Sequence, residues 1–224
     1  MRQYKFKWGR FLFFRWLPIS WTLQAIHSLD KTEKVLRLCF ELLLIFLSWL
    51  MIATFGQLNY KIGIISIVVI HTIFGLFDSS AYVGLRECFV FIRNSGIKGI
   101  IAYLNYVQRL LAKVDCAEAI LVYGSLCRKR FHDKSDLDLR IIRRKGVIQT
   151  LNLFFICIWL RTIGVWFFNI PLDLKMIDNL HFLEKEMRDD EKPIVIFCRD
   201  SFEIYNRGVE FKVLKENPKS FLRD

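Results

Sequence analysis

The chain is poor in the residues that build secreted scaffolds and soft-metal cages. Its six cysteines, Cys39, Cys88, Cys116, Cys127, Cys157 and Cys198, include no CxxC pair, and several sit in strongly apolar surroundings. That argues against a disulfide framework or a zinc site and for reduced thiols in a cytosolic setting. None of the four histidines, His27, His71, His132 and His181, stands at ligand spacing from another. No small-residue cleavage site of a secretory signal follows the N-terminal segment. Neither a zinc finger nor an RNP-type run is present, which disfavours nucleic acid as the partner. Acids are also short in number: 22 against 33 bases, a net charge of +11 across 224 residues. Much of that surplus flanks apolar stretches, so anionic lipid is the expected partner outside any nucleotide site.

Hydrophobic residues make up 54% of the chain, with 21 phenylalanines, beside 25% charged residues. The mixture predicts apolar segments set against a charged globular part. Residues 1–34 interleave bases with rings (Arg2, Tyr4, Lys5, Phe6, Lys7, Trp8, Arg10, Phe11) and read as an amphipathic interfacial segment. Ser28 or Asp30 is expected to cap the next helix, with Glu33 completing an Asp-x-x-Glu box. No charge occurs from Leu42 to Tyr60, and a second uncharged stretch runs from Ile62 to Phe77. Together they predict a two-helix transmembrane hairpin within residues 35–96, the second span reaching full length only by continuing past Asp78. Lys31, Lys34, Arg37, Arg86 and Arg93 flank it, so both termini and the catalytic part are expected on the cytoplasmic side.

Residues 97–224 then form an α/β unit. A helical stripe (Ile100, Ile101, Leu104, Val107, Leu110, Leu111) precedes an apolar strand ending at Tyr123. Val147 to Asn169 is apolar around a single Arg161, and is expected to cover a sheet, since a charge at the centre of a membrane span is costly. Strands follow at Ile170–Ile177 and Pro193–Cys198, mixed edge structure at Phe202–Leu214, and a fraying tail from Lys215.

The chemistry gathers in LVYGSLCRKRFHDKSDLDLRII, Leu121 to Ile142. Gly124 and Ser125 break the strand at a turn able to present backbone N–H groups and a hydroxyl to phosphate. About ten residues on, Asp136 and Asp138 alternate with Leu137 and Leu139 and so share one face of a strand. Two such carboxylates repel, and a hard cation between them relieves the repulsion. Arg128 and Lys129 are basic groups near the same turn. Cys127 reads as a bystander and His132 as a loop residue.

This pattern, Gly-Ser after a hydrophobic strand and then Asp-x-Asp, resembles the core signature of the DNA polymerase beta-like nucleotidyltransferase superfamily, most closely its minimal members. Gly124, Ser125, Arg128, Ser135, Asp136 and Asp138 match, while Lys129 stands where a glycine is usual; the likeness covers roughly residues 100–180. The resemblance implies a small mixed-sheet core after the membrane hairpin and a third carboxylate on a neighbouring strand, Asp173, with Asp178 its rival. It implies Mg²⁺, or Mn²⁺ in its place, on Asp136, Asp138 and Asp173. A nucleoside triphosphate would then sit against Gly124, Ser125, Arg128, Lys129, Ser135 and Lys175. The implied reaction moves a nucleoside monophosphate to an acceptor hydroxyl on a membrane-borne lipid or glycan. A protein acceptor and a non-enzymatic membrane scaffold are the alternatives, and a homo-oligomer is left open.

Overall fold

A computed structural model of the chain describes residues 29–55, 60–77, 94–132, 135–179, 191–199 and 208–222. Residues 1–28 of the predicted interfacial segment and the extension of the second span past Asp78 lie outside them. Two long helices come first, α1 (Lys31–Phe55) and α2 (Tyr60–Phe77). They are followed by α3 (Gly96–Lys113), β1 (Ala117–Tyr123), β2 (Leu137–Arg143), α4 (Val147–Trp166), β3 (Leu172–Ile177) and β4 (Ile194–Cys198). A two-residue β5 (Val209–Glu210), a short α5 (Phe211–Glu216) and a 3-10 turn (Pro218–Phe221) close the chain. The five strands make one mixed sheet in the order β3-β2-β1-β4-β5. β1 is antiparallel to β2 and β4, whereas β2–β3 and β4–β5 are parallel. The α/β expectation therefore holds at the level of a five-stranded mixed sheet with helices.

Alternation along the strands divides the sheet into two faces. Leu137, Leu139 and Ile141 of β2 and Leu172, Leu174 and Met176 of β3 enter the main core with Ile100, Tyr103, Leu104, Val107 and Leu111 of α3. Leu153, Cys157 and Leu160 of α4 join them. Ala119, Leu121, Tyr123, Ile142, Ile177 and Val195 form a smaller apolar cluster on the other face, where Asp138, Arg140, Asp173 and Lys175, which alternate with the core residues of β2 and β3, also belong.

Arg161 explains why α4 covers the sheet. It is buried, ion-paired with Glu33 of α1, and donates from Nη2 to the carbonyl of Leu174 at 2.6 Å. The expected capping box at Asp30 and Glu33 is replaced by a longer reach. Asp30 Oδ1 does accept from the Lys31 amide at 2.6 Å, but its Oδ2 accepts from the amide of Asp178 at 2.9 Å. Glu33 Oε2 accepts from the amide of Met176 at 2.8 Å, and Thr32 donates to Asp178 Oδ2 at 2.6 Å. β3 is an edge strand, and the first turn of α1 satisfies its outward amides.

By length and composition, two helices can cross a membrane, Lys31–Thr54 and Val147–Trp166. Of α2, the second partner of the predicted hairpin, the described apolar portion is Gly63–Gly75. Glu41 and His71 pair across α1 and α2, and Phe40 meets Phe74 with ring centroids 5.9 Å apart.

Two further expectations are corrected. Among its described residues, the segment expected as mixed edge structure has Val209–Glu210 as strand and then turns helical as α5, burying Phe211 and Leu214. The tail does not fray through residue 222: Phe221 is buried, and Leu222 bridges Phe131.

Candidate active site

β1 delivers the chain into a tight turn at Gly124, whose φ is +76°. A Cβ there would lie 2.9 Å from Cγ of Asp138 and overlap its Oδ2, so only glycine lets the turn close onto that carboxylate. Residues 125–130 complete one helical turn. The amide of Lys129 donates to Leu126 O at 3.2 Å and that of Arg130 to Ser125 O at 2.9 Å. This pair of bonds is a Schellman closure, which calls for a left-handed residue at its penultimate position. Lys129 takes that place with φ +54°. Glycine would take that conformation without strain, and lysine adopts it at a cost of about 1 kcal/mol.

Tyr123, Asp138 and Asp173 lie in one row across three strands, since Tyr123 pairs with Asp138 and Asp138 with Asp173. Asp136 stands one residue before β2, and its negative charge is felt at Asp138. One row further, Arg140 pairs with Lys175. Arg140 Nη2 donates to Asp173 Oδ2 at 2.8 Å and lies 3.7 Å from Asp138 Oδ1, while Nη1 donates to the Asp173 carbonyl at 2.6 Å. Burial, followed by the charges of Asp136 and Asp173, pushes the Asp138 carboxyl up to about 7 despite Arg140. Burial opposes ionisation of Asp173 too, but the Arg140 guanidinium and Lys175 outweigh it and hold that carboxyl below its ordinary value. The two acids therefore share a proton unequally: Asp173 is the anion, and Asp138 keeps the proton to near neutrality.

The site is open. The side chains of Asp138 and Asp173 retain 22% and 35% of their exposure, enough for a ligand to reach them from solvent. Two hydroxyls beside them, Ser125 Oγ and Tyr123 Oη, are buried and make no hydrogen bond among the described residues. Orphaned buried hydroxyls are uncommon and call for a partner. A separate apolar groove of about 360 Å³, lined by Thr32, Leu36, Arg143, Val147 and Leu151, lies at the far end of β2 and contains none of the candidate residues.

The remaining sequence candidates divide. Arg128 is turned toward Glu191, Nε lying 3.3 Å from Oε1, and Lys129 is exposed. Ser135 is buried, its hydroxyl accepting from the His132 amide at 3.1 Å, so it closes the loop before β2. Asn94 pins that loop by donating to the carbonyls of His132 and Ser135 at 3.0 and 2.9 Å. Lys175 is buried on the face of the acids. Asp178 lies past the far end of β3, bonded by Arg143 Nε at 2.6 Å and by Thr32, away from Asp138. Burial pushes the Cys127 thiol up to about 12, which removes it as a nucleophile. Sequence reasoning missed Arg140, Tyr123 and Glu191. Arg140 was within reach, because it shares the parity of Asp138 two residues away.

For a hard divalent ion, the donor set fits in kind: carboxylate oxygens only, side by side and solvent-reachable. Among the described residues, no three His, Cys, Asp or Glu side chains already stand gathered as a cage, and Arg140 engages the oxygen of Asp173 instead. No protein-family model matches the chain, and no curated protein matches it. The family likeness accordingly rests on the sequence pattern alone.

Proposed function

We propose that the chain is a membrane-associated nucleotidyltransferase: an acceptor hydroxyl attacks the α-phosphorus of a nucleoside triphosphate, the bond to the β-phosphate breaks, pyrophosphate leaves, and the nucleoside monophosphate stays on the acceptor. One observation carries the reading: Asp138 and Asp173 are register partners on adjacent parallel strands, beside a glycine turn that touches Asp138 and leads into Ser125, whose buried hydroxyl has no partner among the described residues. Asp136, Asp138 and Asp173 would hold Mg²⁺, which when bound offsets their charge and that of the triphosphate.

The chain's own groups do the rest. Gly124 lets the backbone approach the phosphates closely, and Ser125 Oγ donates to a phosphate oxygen, satisfying a hydroxyl that otherwise lacks a partner. Asp173, kept anionic by Arg140, accepts the proton of the acceptor hydroxyl as it attacks. Arg140 acts on Asp173 as a positioning residue through its two bonds to it. Lys175 adds positive charge behind the same carboxylate. Lys129, exposed at the end of the turn, is free to approach the phosphates, whereas Arg128 would first have to leave Glu191.

The test is incubation of membranes bearing the protein with each α-labelled nucleoside triphosphate, with and without Mg²⁺. Magnesium-dependent label retained in the lipid or glycan fraction supports the proposal. Label in a protein band transfers the acceptor to a polypeptide, and equal labelling by parent and Asp138→Ala refutes the site.

A further inference from the structure

α4 buries one side and leaves the other bare. Leu153, Phe154, Cys157, Leu160, Arg161, Gly164 and Val165 face inward. Ile148, Leu151, Phe155, Trp159 and Trp166 face outward, at 70%, 39%, 49%, 53% and 61% exposure. Their spacing follows the helical repeat, and no charged residue interrupts that face. Val147 and Phe167 extend it at the two ends, at 77% and 79% exposed. Apart from the exposed Asn152 and the half-buried Thr162 the face is apolar, and a strip of this size on the outside of a sheet-covering helix is unusual in contact with water.

The strip does not stop at α4. Phe40 of α1 meets Phe155 edge to face, with centroids 5.3 Å apart, and meets Phe154 at 5.9 Å. Val35, Leu38, Leu42, Leu43 and Phe46 of α1 are exposed too, so bare apolar surface continues from α4 into the helix long enough to enter a bilayer. Trp159 donates its indole N–H to Tyr106 at 2.9 Å, leaving its apolar ring outward. Tryptophan anchors of this kind favour the boundary between headgroups and acyl chains.

We infer that the outward face of α4 lies in the lipid interface, so that the sheet itself rests on the bilayer in addition to being tethered to it. α4 begins beside Arg143, where Thr150 accepts from Nη1 at 3.1 Å, and ends with Gly164 against Leu172. It therefore runs back along β2 and β3 toward the end that holds Asp138 and Asp173. Asp138 and Asp173 stand on the face of the sheet that α4 does not cover, so lipid contact along the strip leaves the acids turned away from the bilayer. The inference rests on the membrane association proposed above and goes further by specifying which face of the core meets lipid.

Tryptophan quenching tests it. Three proteins each retain one tryptophan, Trp49, Trp159 or Trp166, with the other five changed to phenylalanine. Each is placed in vesicles of phosphatidylcholine and phosphatidylglycerol with brominated acyl chains. Loss of emission from Trp159 and Trp166, alongside Trp49 of α1, is the expected result. Quenched Trp49 with Trp159 and Trp166 quenched only by aqueous acrylamide means that α4 faces water, and overturns the inference alone. Quenched Trp49 with the α4 tryptophans reached by neither agent means that a second copy or another protein covers the strip, and also overturns it. An unquenched Trp49 removes the membrane association itself, and this inference with it. Having two reporters on α4 protects the test against one variant that fails to fold.

Discussion

Gly124 and Asp138 are packed so tightly that the turn after β1 and the first carboxylate of β2 form a single unit, with room at Gly124 for hydrogen and nothing larger. Gly124→Ala is expected to destabilise the fold by about 2 kcal/mol through its positive φ and the clash. It should also abolish magnesium-dependent transfer. Chemical denaturation and the labelling assay read the two effects separately; full activity in this variant would break the link between turn and acid.

Stability of the metal-free protein should fall as pH rises. The Asp138 carboxyl titrates at about 7 when folded, above the ordinary carboxylate value that it regains on unfolding. The folded state then binds the proton more tightly, so this contribution is present below about pH 4 and is lost as pH climbs to about 7, on the order of 4 kcal/mol. Asp173, whose folded value is lowered, acts only at more acidic pH. Asp138→Asn should flatten the slope in a denaturation series across that window, and Mg²⁺ should restore stability at the alkaline end of the parent's profile.

Lys129→Gly should stabilise the protein by about 1 kcal/mol, because glycine occupies the left-handed position without the strain lysine bears. If Lys129 also meets phosphate, the same variant raises KM for the nucleotide while its melting temperature rises. A drop in stability would show that the turn is held differently.

Asp173→Asn is expected to lower kcat by two or more orders of magnitude with modest effect on triphosphate binding, in line with loss of a general base. Asp178→Asn should leave kcat near the parent value and reduce stability, since that residue ties β3 to Arg143 and Thr32. The opposite pattern would make Asp178 the third acid.

How much of this could be read from the residues depended on distance along the chain. The shared face of Asp136 and Asp138 follows from strand parity, and the strand carrying Asp173 was recognisable by its flanking leucines. The partner of Arg161 was not. Glu33 lies 128 residues away and looked like half of a capping box. Nothing local says that β3 will be an edge strand whose amides need carboxylates. Phe221 failed for the same reason: surrounded by polar residues, it looked peripheral, yet the sheet draws it into the core. Arg140 was overlooked for a different reason. Its parity was visible, but basic residues late in a strand usually face water, and only the β2–β3 register turns this one onto Asp173.

Glu33→Gln should cost about 3 kcal/mol, because the buried Arg161 guanidinium would lose the charge of Glu33. Arg161→Met in the same background should recover part of that loss, as thermal denaturation of the single and double variants can measure.

The seam between the first turn of α1 and β3 also warns against a familiar shortcut. A trimmed fragment beginning near residue 95, made to obtain the sheet without its greasy helices, would strip the carboxylates from the amides of Met176 and Asp178. It would leave a raw strand border ready to zip onto its neighbour in the tube. Such a preparation is expected to precipitate or form ladders of oligomers, whereas the whole chain in detergent stays dispersed.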